Sequence, residues 1–298
     1  MENLKKTAHF SISTVEIESG LTCETLRIWE LRYNFPNPKR NIKGDRNYSA
    51  HQVQQLKIIK MLLDNGARPQ NVVGLSLAQL KKKLLQSNHS SPFELTPEQS
   101  ELITMIKNHA RSDLRMYFEK KLKQHSVRSF ILDFVSPTIN LVGSAWAQGI
   151  LSIDEEHFFS ELLQQRLYQL ADHLEPESPK KSILLTTPPG EVHALGIQMV
   201  RILSLLSGYR VHFLGPQIPV SDVIRAVQTT GSEIVGIGIS SSFSAAKARQ
   251  YIKSLRSSLP NNVTIWVGGK AVERLNCKQL QVHGFTEIET LDSELASK

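Results

Sequence analysis

From residue 180 to Lys298, short apolar runs alternate with longer stretches whose apolar positions recur every three to four residues. Ser182 to Thr187, Arg210 to Phe213, Ile234 to Ile239, Val263 to Val267 and Gly284 to Thr286 predict strands, and the segments near 194–207, 220–230 and 245–258 predict helices. Parallel strands buried on both faces read as continuous apolar runs. Residues 180–298 therefore predict a doubly wound α/β domain around a parallel sheet. Residues 96–175 keep a helical period throughout: Leu102, Ile103 and Ile106; Leu114, Tyr117, Phe118 and Leu122; Phe130 to Val142; Glu155 to Leu170. Four helices with short joins predict a four-helix bundle. Thr96, Pro97 and Gln99 form a capping-box start for the first of them.

The front of the chain has a third rhythm. Phe10 to Gly20 predicts a short helix closed by a glycine turn, and Thr22 caps a second helix carrying Leu26, Ile28, Trp29 and Tyr33. Two helices around a short glycine-containing turn are a helix-turn-helix signature. Glu24, Thr25, Arg27, Glu30 and Arg32 on the second helix suit a major groove. Arg27 or Arg32 could instead pair with Glu30, and Trp29 and Tyr33 also suit core packing. Pro36 and Pro38 break the helix. Lys39, Arg40, Lys43 and Arg46 around Gly44 then predict a β-wing lying along phosphates. Ser49 caps a helix from Ala50 to Asn65 with the stripe Val53, Leu56, Ile59, Leu62 and Leu63. Leu75, Leu77, Leu80 and Leu84 give one more short helix, and Gln86 to Pro92 is polar. The expected division is a winged helix over 8–78, a linker over 79–95, the bundle over 96–175 and the α/β domain over 180–298.

Charge sharpens this division. The net charge of the 298 residues is +7. Residues 1–90 hold 14 Lys/Arg against 7 Asp/Glu, so 14 − 7 = +7, and the remainder holds 21 of each. All the excess basicity lies in the first domain, the footprint of a nucleic-acid-binding module. No apolar stretch approaches the roughly 20 residues that span a bilayer. No membrane partner is expected. Cys23 and Cys277 lie in different predicted domains. That excludes a disulfide framework and a cysteine-rich zinc site and fits a reducing, cytoplasmic setting.

The candidate chemistry sits at strand ends. Glu191-Val-His193-Ala-Leu-Gly196 follows the first strand of the α/β domain, Ser240-Ser241-Ser242 follows the third, and Gly268-Gly269 follows the fourth. Open α/β sheets bind ligands at the carboxyl ends of their strands. A carboxylate near a histidine can take one ring N–H and leave the other nitrogen for a metal. A lone histidine after a strand is usually structural, so this reading rests on the three loops together. In the bundle, Trp146 and Glu156-His157 read by themselves as core and helix-surface residues.

Leu26-Arg27-Ile28-Trp29-Glu30-Leu31-Arg32-Tyr33, followed by Pro36, Pro38, Arg40, Arg46 and Tyr48, resembles the MerR family of winged-helix regulators over about the first 75 residues. The resemblance implies a double-stranded DNA operator contacted by Thr25, Arg27, Arg32, Lys39, Arg40, Lys43, Arg46 and Tyr48, with Arg40, Arg46 and Tyr48 on phosphates. No cysteine lies between Cys23 and Cys277, which disfavours thiolate-based metal or redox sensing. Glu191/His193/Gly196, Ser240/Ser242 and Gly268/Gly269 resemble the flavodoxin-like, Rossmann-like cobalamin-binding domain of the methionine-synthase and methylmalonyl-mutase type. This implies His193 as lower ligand to cobalt, Glu191 orienting it, and the cofactor's nucleotide tail in a slot past Ser240 and Gly268. Ser242 stands where the family commonly has Leu or Thr.

The three modules in this order resemble the CarA/CarH/LitR group of regulators over nearly the whole chain. That resemblance implies a bundle capping the corrin with Trp146, Glu156 and His157. It further implies adenosylcobalamin (or methylcobalamin) as cofactor, a homo-oligomer (dimer or tetramer), repression and a light response. The best-studied type in the group carries a histidine directly after the bundle tryptophan. Here Ala147 stands there, and alanine cannot coordinate a metal. Three expectations stay open: a light response without that ligand, sensing of cobalamin itself, or a retained fold that binds weakly. Two other classes compete with the non-enzymatic regulator. A corrinoid methyl carrier or mutase component conflicts with the basic head and the lack of a substrate barrel. A DNA-binding protein whose rear half has lost the cofactor would be colourless.

Overall fold

A computed structural model of the chain describes residues 9–64, 67–87, 95–241 and 243–297. The chain divides into two compact units, residues 1–100 with 143–152, and residues 101–142 with 153–298.

In the first unit, β1 (His9–Phe10) leads into α1 (Ile12–Ser19), whose N-cap Ser11 accepts a hydrogen bond from Thr14 N. Gly20 ends α1 in the left-handed conformation that glycine adopts without a Cβ penalty. Thr22 caps α2 (Cys23–Tyr33). The hairpin strands β2 (Lys39–Arg40) and β3 (Arg46–Ser49) follow, and the antiparallel sheet has the order β1-β3-β2. Ser49 N–H donates to Gln52 Oε1 (3.0 Å) and Gln52 N–H to Ser49 Oγ (3.3 Å), which starts α3 (Ala50–Asp64). The predicted helix end at Asn65 lies outside the described residues.

The expected linker over 79–95 requires correction. Its first part belongs to α4 (Leu77–Ser87), and residues 88–94 lie outside the described residues. Leu80 and Leu84 are buried with Val53, Leu56, Ile59 and Leu62 in the first unit's core. The winged-helix core therefore extends beyond residue 78, because α4 has an apolar stripe and α3 offers a matching face.

The helical segment contains α5 (Pro97–Lys107), α6 (Arg111–Gln124), α7 (Val127–Ser129), a π-helical stretch Phe130–Val135, α8 (Ser136–Ala147) and α9 (Ile153–Ala171). Thr96 and Gln99 make the predicted reciprocal cap, at 2.9 and 3.2 Å. In the second unit, Phe118, Phe130, Phe159, Leu163 and Leu167 are buried. Phe130 and Phe134 stack with centroids 5.3 Å apart. The π-helical stretch was not predicted: its apolar spacing is that of an ordinary helix, and only the hydrogen-bond register differs. Residues 143–152 cluster with the first unit rather than with the rest of the helical segment.

The parallel sheet of the second unit is built from β4 (Ser182–Thr186), β5 (Arg210–Phe213), β6 (Ile234–Gly238), β7 (Thr264–Gly268) and β8 (His283–Phe285). Helices α10 (Leu195–Leu206), α11 (Val220–Thr230), α12 (Ala245–Ser258), α13 (Cys277–Leu280) and α14 (Ile288–Ser297) connect or follow the strands. The strand order is β5-β4-β6-β7-β8, with every pairing parallel. The chain leaves β4 toward β5 on one side and returns to β6 on the other. Ligands of open α/β sheets bind at such a switch point, here the carboxyl ends of β4 and β6.

Candidate functional site

The loops after β4 and β6 meet on one carboxylate. Glu191 is 1% exposed. Its Oε1 lies 2.6 Å from His193 Nδ1 and accepts the His193 backbone N–H at 3.0 Å. Its Oε2 accepts from both Ser240 N–H (2.8 Å) and Ser240 Oγ–H (2.7 Å). Ser240 Oγ also lies 3.2 Å from His193 Nδ1. Thr187 supports the loop from below: its hydroxyl donates to Glu191 O (2.7 Å) and accepts from Gln217 N–H (2.9 Å). Gln217 Oε1 in turn accepts from Gly190 N–H at 3.3 Å. Gln217 lies in the segment Leu214 to Pro219, which resembles the cobalamin-domain loop after the second strand, whereas the only sequence signal for Thr187 is a threonine ending an apolar strand.

Burial alone would raise the Glu191 carboxyl. The hydrogen bond and charge of His193 and the bonds from Ser240 outweigh it, and the group is held below the usual carboxylate range. The Glu191 hydrogen bond raises the His193 imidazole against the effect of burial, and the charges of Glu191 and Glu156 add to the rise. A carboxylate on Nδ1 selects the tautomer whose Nε2 carries the lone pair. The His193 side chain is 61% exposed, so this arrangement presents the imidazole at the sheet's carboxyl end.

The glycines separate into two kinds. A Cβ on Gly196 meets nothing within 4 Å, and one on Gly268 only reaches Phe285 O at 4.0 Å. There the missing side chains leave room. Gly269 has φ +105, and a Cβ there would lie 2.3 Å from Ile239 O. There the backbone itself demands glycine. Open space beside a carboxylate-oriented histidine fits a flat metal macrocycle with a tail. Ser242 lies outside the described residues.

Glu156 and His157 pair with each other, with Oε2 to Nδ1 at 2.6 Å, and Glu156 Oε1 accepts from Ser160 Oγ–H at 2.5 Å. The structure brings Glu156 within electrostatic reach of His193. Trp146 belongs to the first unit, half-buried against its core. Lys57 Nζ lies 4.8 Å over the Trp146 ring and 2.8 Å from Glu18 Oε2.

On the basic surface, Arg27, Arg32, Lys39 and Lys43 are exposed as expected. Arg32 lies over the Tyr33 ring at 5.4 Å. Thr25 Oγ1 lies 2.8 Å from Thr22 Oγ1, within the helix cap. Glu30 takes neither Arg27 nor Arg32 as its ion-pair partner. Its Oε1 accepts from Arg40 (3.1 Å) and its Oε2 from Arg46 Nε (2.6 Å). Arg40 and Arg46 face each other across β2 and β3, where like charges repel. Glu30 neutralises that repulsion and fastens the hairpin to α2. The expected phosphate contact of Tyr48 is corrected: the residue is fully buried, opposite Phe10 in the β1–β3 pairing. Side chains alternate across a strand, so Tyr48 points into the core while its neighbours do not. Burial pushes its phenol up to about 12.

A basic winged helix-turn-helix, a helical segment and an open parallel sheet with a carboxylate-bonded histidine at its switch point define a class of ligand-sensing DNA-binding protein. Comparison with known families makes the class specific. Residues 10–85 match the MerR HTH family of regulatory proteins, and residues 100–171 and 181–285 match two families of B12 binding domain. These matches, in this order along the chain, fit a MerR-family cobalamin-binding regulator of the CarA/CarH group. It is 28% identical over 283 residues to the HTH-type transcriptional repressor CarH of Myxococcus xanthus, covering 92% of this chain and 94% of that one. It is 26% identical to the HTH-type transcriptional repressor CarA of the same organism, covering 82% and 80%. The solved monomethylamine corrinoid protein of Methanosarcina barkeri shares the fold of 66% of this chain, with a TM-score of 0.52 and 16% identity.

Proposed function

We propose that the protein is a cobalamin-dependent transcriptional repressor whose cofactor is adenosylcobalamin. The observation that carries this reading is the Glu191–His193–Ser240 relay at the sheet's switch point, in one chain with a basic, Glu30-clamped winged helix. His193 would ligate cobalt, Glu191 and Ser240 would hold the imidazole in register, and the space at Gly196 and Gly268 would take the nucleotide tail. When bound, the cofactor supplies a cobalt centre with an exchangeable upper group. Glu156 and His157, in the same unit as His193, would serve that exchangeable group. Oligomers form on loading, and several tethered basic heads then bind a double-stranded operator more tightly than one. The winged helix favours this reading over a corrinoid methyl carrier, which has no need of a DNA-binding head.

The test is reconstitution in darkness with adenosylcobalamin and, separately, methylcobalamin, followed by gel filtration. Wild-type protein is expected to retain the corrinoid absorbance and to gain mass and DNA affinity. His193→Ala is expected to emerge colourless at the same cofactor concentration. Tight retention by that variant would overturn the ligand assignment, and an unchanged mass on loading would overturn the oligomerisation mechanism. Green light applied to the loaded complex then decides the light response. Dissociation from DNA supports it despite Ala147, and unchanged retardation leaves a sensor of cobalamin itself.

A further inference from the structure

The wing carries a feature that phosphate binding does not use. Ile42 stands at its tip and is as exposed as in an extended peptide, at 107%. Single exposed apolar residues are ordinary on protein surfaces. Ile42 differs because the loop around it is rigid. Asn41 N–H donates to Asp45 O at 3.0 Å, and Gly44 N–H to Asn41 O at 2.9 Å. Asn41 Oδ1 accepts from the backbone N–H of both Lys43 and Asp45, each at 2.9 Å. Asn41 Nδ2 donates to Asp45 Oδ2 at 3.0 Å, and Arg40 donates to Gly44 O at 3.1 Å. Asn, Asp and Gly at these places are what a tight turn requires; the isoleucine contributes nothing to the turn. A preorganised hairpin thus holds a branched apolar knob in water, flanked by Lys39, Arg40, Lys43 and Arg46.

We propose that Ile42 is an apolar wedge that enters the minor groove of duplex DNA, beside the groove occupied by α2. This rests on the DNA-binding reading above and adds a contact to it. Glu30 fastens the hairpin alongside α2. With α2 in a major groove, the hairpin crosses one phosphate ribbon and its tip meets the adjacent minor groove. The flanking cations suit that ribbon. The knob suits the groove's apolar sugar walls and base steps, where inserted Ile, Leu or Met side chains unstack and kink the duplex. Because wedging favours deformable steps, Ile42 would select sequence without a hydrogen bond.

The probe is the set of duplexes that the full wild-type chain enriches from a random-sequence pool. Ile42→Ala alters only a solvent-facing tip, so its fold is unaffected. It is expected to bind these duplexes about fivefold to tenfold more weakly, with the salt dependence unchanged. Lys43→Ala is expected instead to reduce the salt slope by about one unit. Replacing adenine by 2,6-diaminopurine in the wing-side flank adds an amino group to the minor-groove floor. It should weaken wild type and leave Ile42→Ala untouched, whereas deoxyuridine for thymine in that flank should affect neither. Equal affinity of wild type and Ile42→Ala would overturn the wedge while leaving DNA binding standing. So would a deoxyuridine effect confined to wild type, which would place the knob in the major groove. An Ile42→Ala protein altered in mass but not in DNA affinity would show that the knob meets a second copy. Failure of wild type to enrich any duplex would overturn the DNA-binding reading itself.

Discussion

Glu191, at the head of the parallel sheet, and Glu30, on the second helix of the winged domain, each give one carboxylate oxygen to each of two partners. Glu191 is buried and holds neutral donors and a histidine. Glu30 is 22% exposed and holds two arginines. The first arrangement positions one nitrogen within an unchanging scaffold, and its strength comes from hydrogen bonds shielded from water. The second positions a whole hairpin, and its strength is tempered by solvent. A sensing site of this kind needs an accurately aimed ligand. A surface that meets phosphates needs charges held apart from one another but still open to water. The two regions should therefore fail differently when altered.

The largest effect tests the scaffold beneath the sensing loops. Gly269→Ala forces a side chain into a backbone region that only glycine occupies readily, with its Cβ 2.3 Å from Ile239 O. The expected loss is about 3 kcal/mol of stability, read by urea unfolding. A loss below about 1 kcal/mol would mean that the turn relaxes and that the sensing region is softer than its hydrogen bonds indicate.

Next comes Glu191→Gln, which keeps the volume but turns an amide toward Ser240 N–H or His193. Cobalamin affinity is expected to fall about 10-fold to 100-fold, with DNA binding by the cofactor-free protein unchanged. The matching change in the other region is Glu30→Gln. It leaves Arg40 and Arg46 opposed without their shared counter-ion, at a cost of about 1 kcal/mol to the first unit. DNA affinity should fall severalfold while the corrinoid spectrum stays that of wild type. If Glu30→Gln also bleached the protein, the two carboxylates would not be doing separate tasks.

The sheet and its loops are legible in the sequence because buried strands are continuous apolar runs and their ends carry clustered small and titratable residues. Glu191 and His193 pair as their spacing after β4 predicts, whereas the bonds from Ser240 to Glu191 join two loops that the sequence read only as lining one slot. The winged domain is less legible. Its helices follow from caps and periodicity, but the direction of each side chain on a four-residue strand depends on register. Tyr48 lies between polar neighbours and reads as a surface residue, and pairing with Phe10 turns it inward. Glu30 meets Arg40 and Arg46 ten and sixteen residues away, whereas the sequence offers nearer arginines on its own helix. The limit at 78 failed for a related reason: the stripe of α4 is visible, but its partner face on α3 is not.

The smallest effect separates a glycine needed for folding from one needed for a ligand. Gly196 lies in the first turn of α10 with open space where its side chain would be. Alanine is favoured over glycine within a helix by about 1 kcal/mol, and less near an end. Gly196→Ala should therefore make the cofactor-free protein slightly more stable, by about half a kcal/mol, the opposite sign to Gly269→Ala. The same methyl would stand in the space assigned to the cofactor's tail, so cobalamin affinity should fall although the fold is firmer. Thermal unfolding with and without cobalamin reads both at once: the variant's melting temperature rises above wild type without cofactor and gains less on loading. An equal gain in the two proteins would show that the space beside Gly196 is not where the tail lies. The histidine assignment would then stand without the open space at Gly196 that now supports it.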